Sequence, residues 1–240
     1  MQNKKSVALI GAMDCEFDKL KELMQDIETV DYCDLKIFVG KIFGHNVILA
    51  KSGVGKVNAA LNTQYIIDRF APNYIINTGV AGGVKQGLQV GDIVIGETLV
   101  QHDFDASALG YARGYMCNGI EPDKPTLFYS DKELCKRFDS AMCETAESNI
   151  RIHKGVIATG DTFVSSFEKK TEIATLFNAT AVEMEACAIV QTAKRNNIPC
   201  LVIRAISDLA DGSAPDSLAV AETKMAEFAS STIAVYLKSL

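Results

Sequence analysis

Apolar positions along this chain switch repeatedly between two rhythms. Short unbroken apolar runs mark buried strands. They alternate with stretches where apolar residues return every three or four positions, as on an amphipathic helix. Residues 6–10 read as a buried strand and 16–25 as the helix after it. Residues 35–39 and 46–50 pair as a hairpin with Gly44 in the turn. Over 56–70, Val57, Ala60, Leu61, Tyr65 and Ile66 predict an amphipathic helix, which Pro72 stops. Further strands are predicted at 74–77, 92–96, 154–158, 181–184 and 200–206. Further helices are predicted at 131–147, 168–177, 185–196 and 217–237. Residues 103–126 mix Gly, Pro and aromatic residues without period and form the one long loop.

This alternation, with several hairpin-like pairs, predicts a single α/β domain over 1–240, its mixed sheet lying between helical layers. Ligands of such folds sit beyond the carboxyl ends of the strands. Four clusters fall there: Met13 to Glu16, Gly79 to Gly83, Glu183-Met184-Glu185 and Ser207-Asp208. Their convergence on one rim says more than any one of them.

Composition narrows the partners. The chain is 48% hydrophobic and 22% charged, with a formal net charge of −6. That balance argues against nucleic acid, which needs a basic face. No apolar run approaches the roughly 18 residues of a membrane span, so no membrane partner is expected. The short run Val7 to Met13 is ended by Asp14 and Glu16 and does not make a signal segment. Seven Cys without a CxxC pair read as reduced thiols, and the protein as cytoplasmic.

Each motif has a plain alternative. Lys51 to Lys56 looks like a nucleotide loop, but Ala50 and Val57 stand where a Walker A loop needs Gly and Ser or Thr, and Asn58 breaks GxGxxG. It reads as a tight strand-to-helix turn whose amides face a small ligand. Gly79 to Gly83, with Val80, Ala81 and Gly82, is equally a structural turn or a loop that lets backbone approach a ligand. His102, Asp103 and Asp105 lack zinc-site spacing and read as a hydrogen-bonded loop, so no metal is expected. Glu183 and Glu185, two apart, share a face of an extended chain and can hold vicinal hydroxyls; a solvated helix start is the alternative. Asp208, partly withdrawn from water, is either a proton donor or a turn cap. Arg204 inside an apolar strand needs an acid partner, and Glu16 or Glu183 is the candidate.

Seven stretches occur in the order found in one family. They are Ile10-Gly-Ala-Met-Asp-Cys-Glu16, Lys51-Ser-Gly-Val-Gly-Lys56, Asn77-Thr-Gly-Val-Ala-Gly-Gly83, Val90-Gly-Asp-Ile-Val94, Thr159-Gly-Asp-Thr-Phe163, Val182-Glu-Met-Glu-Ala186 and Arg204-Ala-Ile-Ser-Asp208. Together they resemble the 5′-methylthioadenosine/S-adenosylhomocysteine nucleosidases of the purine/uridine phosphorylase superfamily. The resemblance implies a nucleoside phosphorylase-like three-layer α/β/α sandwich. It implies hydrolysis of the N-glycosidic bond of 5′-methylthioadenosine, S-adenosylhomocysteine and 5′-deoxyadenosine, with no cofactor, in methionine salvage. It further implies that Asp208 protonates adenine N7 and that Glu16 activates water with Arg204 nearby. Glu185 and Met184 hold the ribose, Phe163 stacks on adenine, and backbone at Val164 reads the base edge. Met13 and Val54 line the apolar part, and Glu183, Ser207, Val80, Ala81 and Gly82 complete the binding set. A homodimer is implied, with residues 103–118 reaching the partner's 5′ site.

The chain also departs from the family pattern. Val80 replaces a frequent Ser, and Ala214-Pro-Asp-Ser-Leu-Ala219 replaces an aromatic lid over the 5′-substituent. Aminofutalosine hydrolysis, purine nucleoside phosphorolysis and simple nucleoside binding are the competing readings. Glu16 favours water over phosphate, because its charge repels an anion and residues 1–68 contain no Arg to hold one.

Overall fold

The computed structural model describes residues 6–33, 35–118, 120–144, 150–210 and 218–240. Residues 213–217 of the altered lid therefore lie outside the described residues. Among the described residues eleven strands join one mixed sheet, in the order β2-β3-β4-β1-β5-β11-β6-β10-β9-β7-β8. The strands are β1 (Ser6–Gly11), β2 (Gln25–Tyr32), β3 (Leu35–Ile42), β4 (His45–Lys51), β5 (Tyr74–Asn77), β6 (Val80–Gly83), β7 (Ile93–Gln101), β8 (Phe128–Tyr129), β9 (Ile152–Thr159), β10 (Ala179–Glu183) and β11 (Cys200–Asp208). The helices are α1 (Asp18–Glu22), α2 (Lys56–Phe70), α3 (Lys132–Glu144), α4 (Phe167–Phe177), α5 (Ala186–Arg195) and α6 (Leu218–Ser239).

The three layers follow from strand alternation. Ala8 and Ile10 of β1 enter the core under α2 and α5, while Val7 and Leu9 enter the core under α1, α3 and α6. On β11, Val202 and Ile206 face the first core and Leu201, Ile203 and Ala205 the second. Successive side chains of a strand point to opposite faces, so an unbroken apolar run is what a sheet covered on both sides requires. β11 also closes the sheet on itself. Its start pairs with β5, its middle antiparallel with β7, and its end parallel with β6. This brings the ends of β6, β9, β10 and β11 round one mouth.

Several expectations need correction. Residues 16–25 are not one helix: Asp14–Glu16 form a 3-10 turn, α1 is five residues long, and Gln25 opens β2. Phe17, Leu20 and Met24 are buried at helical spacing, but the chain folds back after Met24. β2 lies at the sheet edge and is largely exposed, so it carries no alternation to detect. Residues 80–83 are strand β6 rather than a turn, made by pairing with β10 and β11 and not by strand-forming side chains. Helix α2 has the predicted bounds but a different buried face. Ala59, Asn62, Thr63, Ile66 and Ile67 point inward, while Val57 and Leu61 are 68% and 65% exposed. The polar face can turn inward because Asn62 Nδ2 donates to the Ser52 carbonyl at 2.5 Å.

Candidate active site

One cavity of about 220 Å³ opens at this mouth. Met13, Glu16, Val54, Val80, Ala81, Gly82, Phe163, Val164, Glu183, Met184, Glu185, Ser207 and Asp208 all line it. Ala12, Thr162 and Val182 line it too. Their only signal in the sequence is adjacency to named residues. Arg204 is the one expected residue that stays behind the wall, 2% exposed.

Glu16 follows β1 and turns back over it. Its Oε2 accepts from the backbone N–H of Ala12 at 2.6 Å and of Met13 at 3.1 Å; its Oε1 accepts from Val80 N–H at 3.2 Å. Burial pushes its carboxyl above the ordinary range, while the Arg204 charge and the three amides pull the other way. Gly79 exists for this contact. Its φ is +154°, and a Cβ there would collide with Glu16 Oε1. A Cβ on Gly11 would come within 2.8 Å of Glu16 Oε2.

Glu183 and Glu185 end β10 and open α5, and their carboxylates have different work. Glu183 Oε2 accepts from the backbone N–H of Glu185 at 3.0 Å and of Ala186 at 2.7 Å, and from Arg204 Nη2 at 2.7 Å. Thr159 Oγ1 donates to its Oε1. Glu183 thus holds the turn rather than offering a free carboxylate to a ligand. Among the described residues the Glu185 carboxylate has one hydrogen-bond partner, the Gly55 N–H at 2.9 Å, which leaves acceptor capacity facing the cavity. Burial and the Glu183 charge push the Glu185 carboxyl up to about 8, against the pull of Arg204. Arg204 also donates to Asn77 Oδ1 at 2.8 Å.

Asp208 ends β11. Its Oδ2 accepts from Ser207 Oγ at 2.8 Å and its Oδ1 from Ala210 N–H at 2.7 Å. Gly82 keeps the strand beside it close, since a Cβ there would lie 3.1 Å from Asp208 Oδ1. Phe163 and Val164 come from the segment after β9; Phe163 is half exposed and Val164 buried. Among the described residues no Lys or Arg lines the cavity.

Around His102 the carboxylates make hydrogen bonds within the protein. Asp103 bonds Lys56 Nζ and Asp161 N–H, and Asp105 bonds Ser107 N–H. The His102 ring lies buried beneath Gly160, where burial holds its imidazole below the ordinary value.

The arrangement offers two carboxyl groups for proton transfer, a third with free acceptor capacity, and an aromatic face, in a pocket sized for a small polar molecule. Known proteins carry the same arrangement of chain. The description of the phosphorylase superfamily matches residues 6–239. A 5′-methylthioadenosine/S-adenosylhomocysteine nucleosidase of Staphylococcus haemolyticus (strain JCSC1435) is 39% identical over 235 residues, covering 98% of this chain and 100% of that protein. The crystal structure of the Neisseria meningitidis nucleosidase of the same name, in complex with methylthio-immucillin-A, superposes with a TM-score of 0.89 at 40% identity, covering 98% and 100% of the two chains. The futalosine hydrolase of Helicobacter pylori strain 26695 superposes with a TM-score of 0.91 at 29% identity, covering 100% of both. The chain therefore belongs to the phosphorylase superfamily and, within it, to the 5′-methylthioadenosine/S-adenosylhomocysteine nucleosidases.

Proposed function

We propose that the protein hydrolyses the N-glycosidic bond of 5′-methylthioadenosine and S-adenosylhomocysteine, releasing adenine and a 5-substituted ribose. The observation that carries this reading is the position of Glu16. Its carboxylate takes the Ala12, Met13 and Val80 amides. Backbone N–H groups clustered this way could otherwise cradle an anion. A phosphate would find those donors used and a negative charge in their place, so water is the nucleophile.

In this mechanism Asp208 gives its proton to adenine N7, and the base leaves neutral as the C–N bond breaks. The ribosyl carbon becomes oxocarbenium-like, and Glu16 takes a proton from water as the water adds. Its raised affinity for protons suits a base working near neutrality. The logic parallels inverting glycoside hydrolysis, with a base nitrogen as leaving group. Glu185 accepts from the ribose hydroxyls, and Met184 packs beside it. Phe163 stacks on the base, the Val164 backbone reads its edge, and Met13 and Val54 form apolar wall. Ser207 orients Asp208. Arg204 acts through Glu183 and through its charge on Glu16.

The protein is further read as a cytoplasmic homodimer of methionine salvage. The exposed residues Val57 and Leu61, one turn apart on α2, and Val54 just before that helix support a partner surface. Residues 103–118 would then serve the partner's 5′ site. Among the described residues no helix is long and apolar enough to cross a membrane.

Aminofutalosine hydrolysis is the second reading, favoured by the likeness to the Helicobacter futalosine hydrolase. Adenine release should be followed with 5′-methylthioadenosine, S-adenosylhomocysteine, 5′-deoxyadenosine and aminofutalosine. The proposal expects the first two to be turned over with the highest kcat/KM. Turnover of aminofutalosine alone would replace it, and binding without release would make the protein a nucleoside-binding module.

A further inference from the structure

Three residues outside the cavity close a ring of hydrogen bonds. Lys56 Nζ donates to Asp103 Oδ1 at 2.6 Å. Asp161 N–H donates to Asp103 Oδ2 at 2.8 Å, and Lys56 N–H donates to Asp161 Oδ1 at 2.8 Å. The ring joins three separate segments: the first residue of α2, the chain just after β7, and the segment after β9. Lys56 Nζ reaches Gln101 Oε1 as well, at 3.2 Å, and Gln101 Nε2 donates to Gln191 on α5 at 2.9 Å. The ion pair is largely shielded, with side-chain exposures of 18% and 23%. None of the three ring residues lines the cavity.

Their neighbours do line it. Val54 precedes the ring on the first segment, and the Gly55 N–H holds Glu185. Thr162, Phe163 and Val164 follow Asp161 directly. Gly55 has φ +94°, and a Cβ there would stand 3.1 Å from Asp161 Oδ1, so the ring needs this glycine. We infer that Lys56, Asp103 and Asp161 are positioning residues that fix the spacing between the wall holding the ribose and the wall holding the base. The inference rests on the nucleosidase reading, in which one ligand must touch both walls. A ligand spanning two sites gains from both only when their spacing matches it. A ligand touching one wall is indifferent to the spacing.

That difference supplies the test. Lys56→Met keeps the stem and removes the ammonium. The KM for 5′-methylthioadenosine should rise about tenfold, the scale of one charged hydrogen bond. The Ki of adenine as a product inhibitor in the same assay should stay within about twofold, because adenine uses only the base wall. Asp103→Asn removes the opposite charge and should split the two constants in the same direction; it decides the matter if Lys56→Met does not fold. Parallel increases in both constants would overturn the inference, since they mark general damage, and so would no change in either. Wild-type protein that cleaves the nucleoside while the variants show no split would sink the ring alone. Wild-type protein that releases no adenine would sink the nucleosidase reading, and the ring with it.

Discussion

Glu185 keeps its proton to about pH 8, because burial and the Glu183 charge both oppose its ionisation. In the proposed complex a nucleoside donating two hydroxyls to this group would favour the ionised form, so binding would displace the proton. The shift also sets a stability trend. Between the ordinary value of 4.5 and about 8, the native chain holds a proton that the unfolded chain has lost. The stability due to this group is full below that window and is lost as pH rises through it. Glu185→Gln cannot ionise, so its melting temperature should gain on that of the wild type as pH rises across the window; parallel curves would show an unperturbed carboxyl. Asp208 is tested by activity. Asp208→Asn should lower kcat by about 10²–10⁴-fold, the usual worth of a general acid. A kcat near that of the wild type would remove Asp208 from the acid role. Glu16, Glu183, Glu185, Asp208 and Gly82 were legible one by one because acids and glycines at strand ends are chemically conspicuous, whereas Phe163 and Val164 came only with the family resemblance. The separation of Glu183 from Glu185 was not legible. Two carboxylates two residues apart look equivalent until Arg204, Thr159 and the first amides of α5 claim one of them.

At the level of elements, the bounds of α2 and β5 could be read directly, since a regular apolar pattern and Pro72 frame them. β2, β6 and β8 could not. β2 is a polar edge strand, β8 has two residues, and β6 is Val-Ala-Gly-Gly, whose extended form comes from its neighbours. Gly79 and Gly82 lie against the Glu16 and Asp208 carboxylates, whereas Gly83 packs on apolar side chains. Gly79→Ala would push its Cβ into a carboxylate pinned by three amides, which cannot simply swing aside. Displacing Glu16 by about an ångström should cost about 100-fold in kcat. Retained kcat in a folded Gly79→Ala variant would show that the position of Glu16 is not limiting. The buried face of α2 marks another limit of pattern reading. Apolar periodicity identifies a stripe but not what covers it, and here Val57 and Leu61 turn outward.

Across the whole molecule, the site depends on pairings between residues far apart in sequence. β11 joins β5, β6 and β7, and so carries Arg204 and Asp208 to the same mouth as Glu16 on the first strand's turn. Local patterns cannot show this closure, which is why the sheet appeared as a simple sandwich layer until the strands were in place. The result concentrates acids: Glu16, Glu183, Glu185 and Asp208 surround the cavity, and among the described residues Arg204 is the one cation buried with them. The Glu16 carboxylate, with no Lys or Arg lining the cavity among the described residues, disfavours an incoming anion. On the proposed reading that preference selects water over phosphate, and it can be measured directly. Purified protein should be given 5′-methylthioadenosine in phosphate-free buffer and again with added phosphate, following adenine and the sugar product. The account predicts equal rates of adenine release and free 5-methylthioribose in both. A strict need for phosphate, with the sugar appearing as its 1-phosphate, would contradict it.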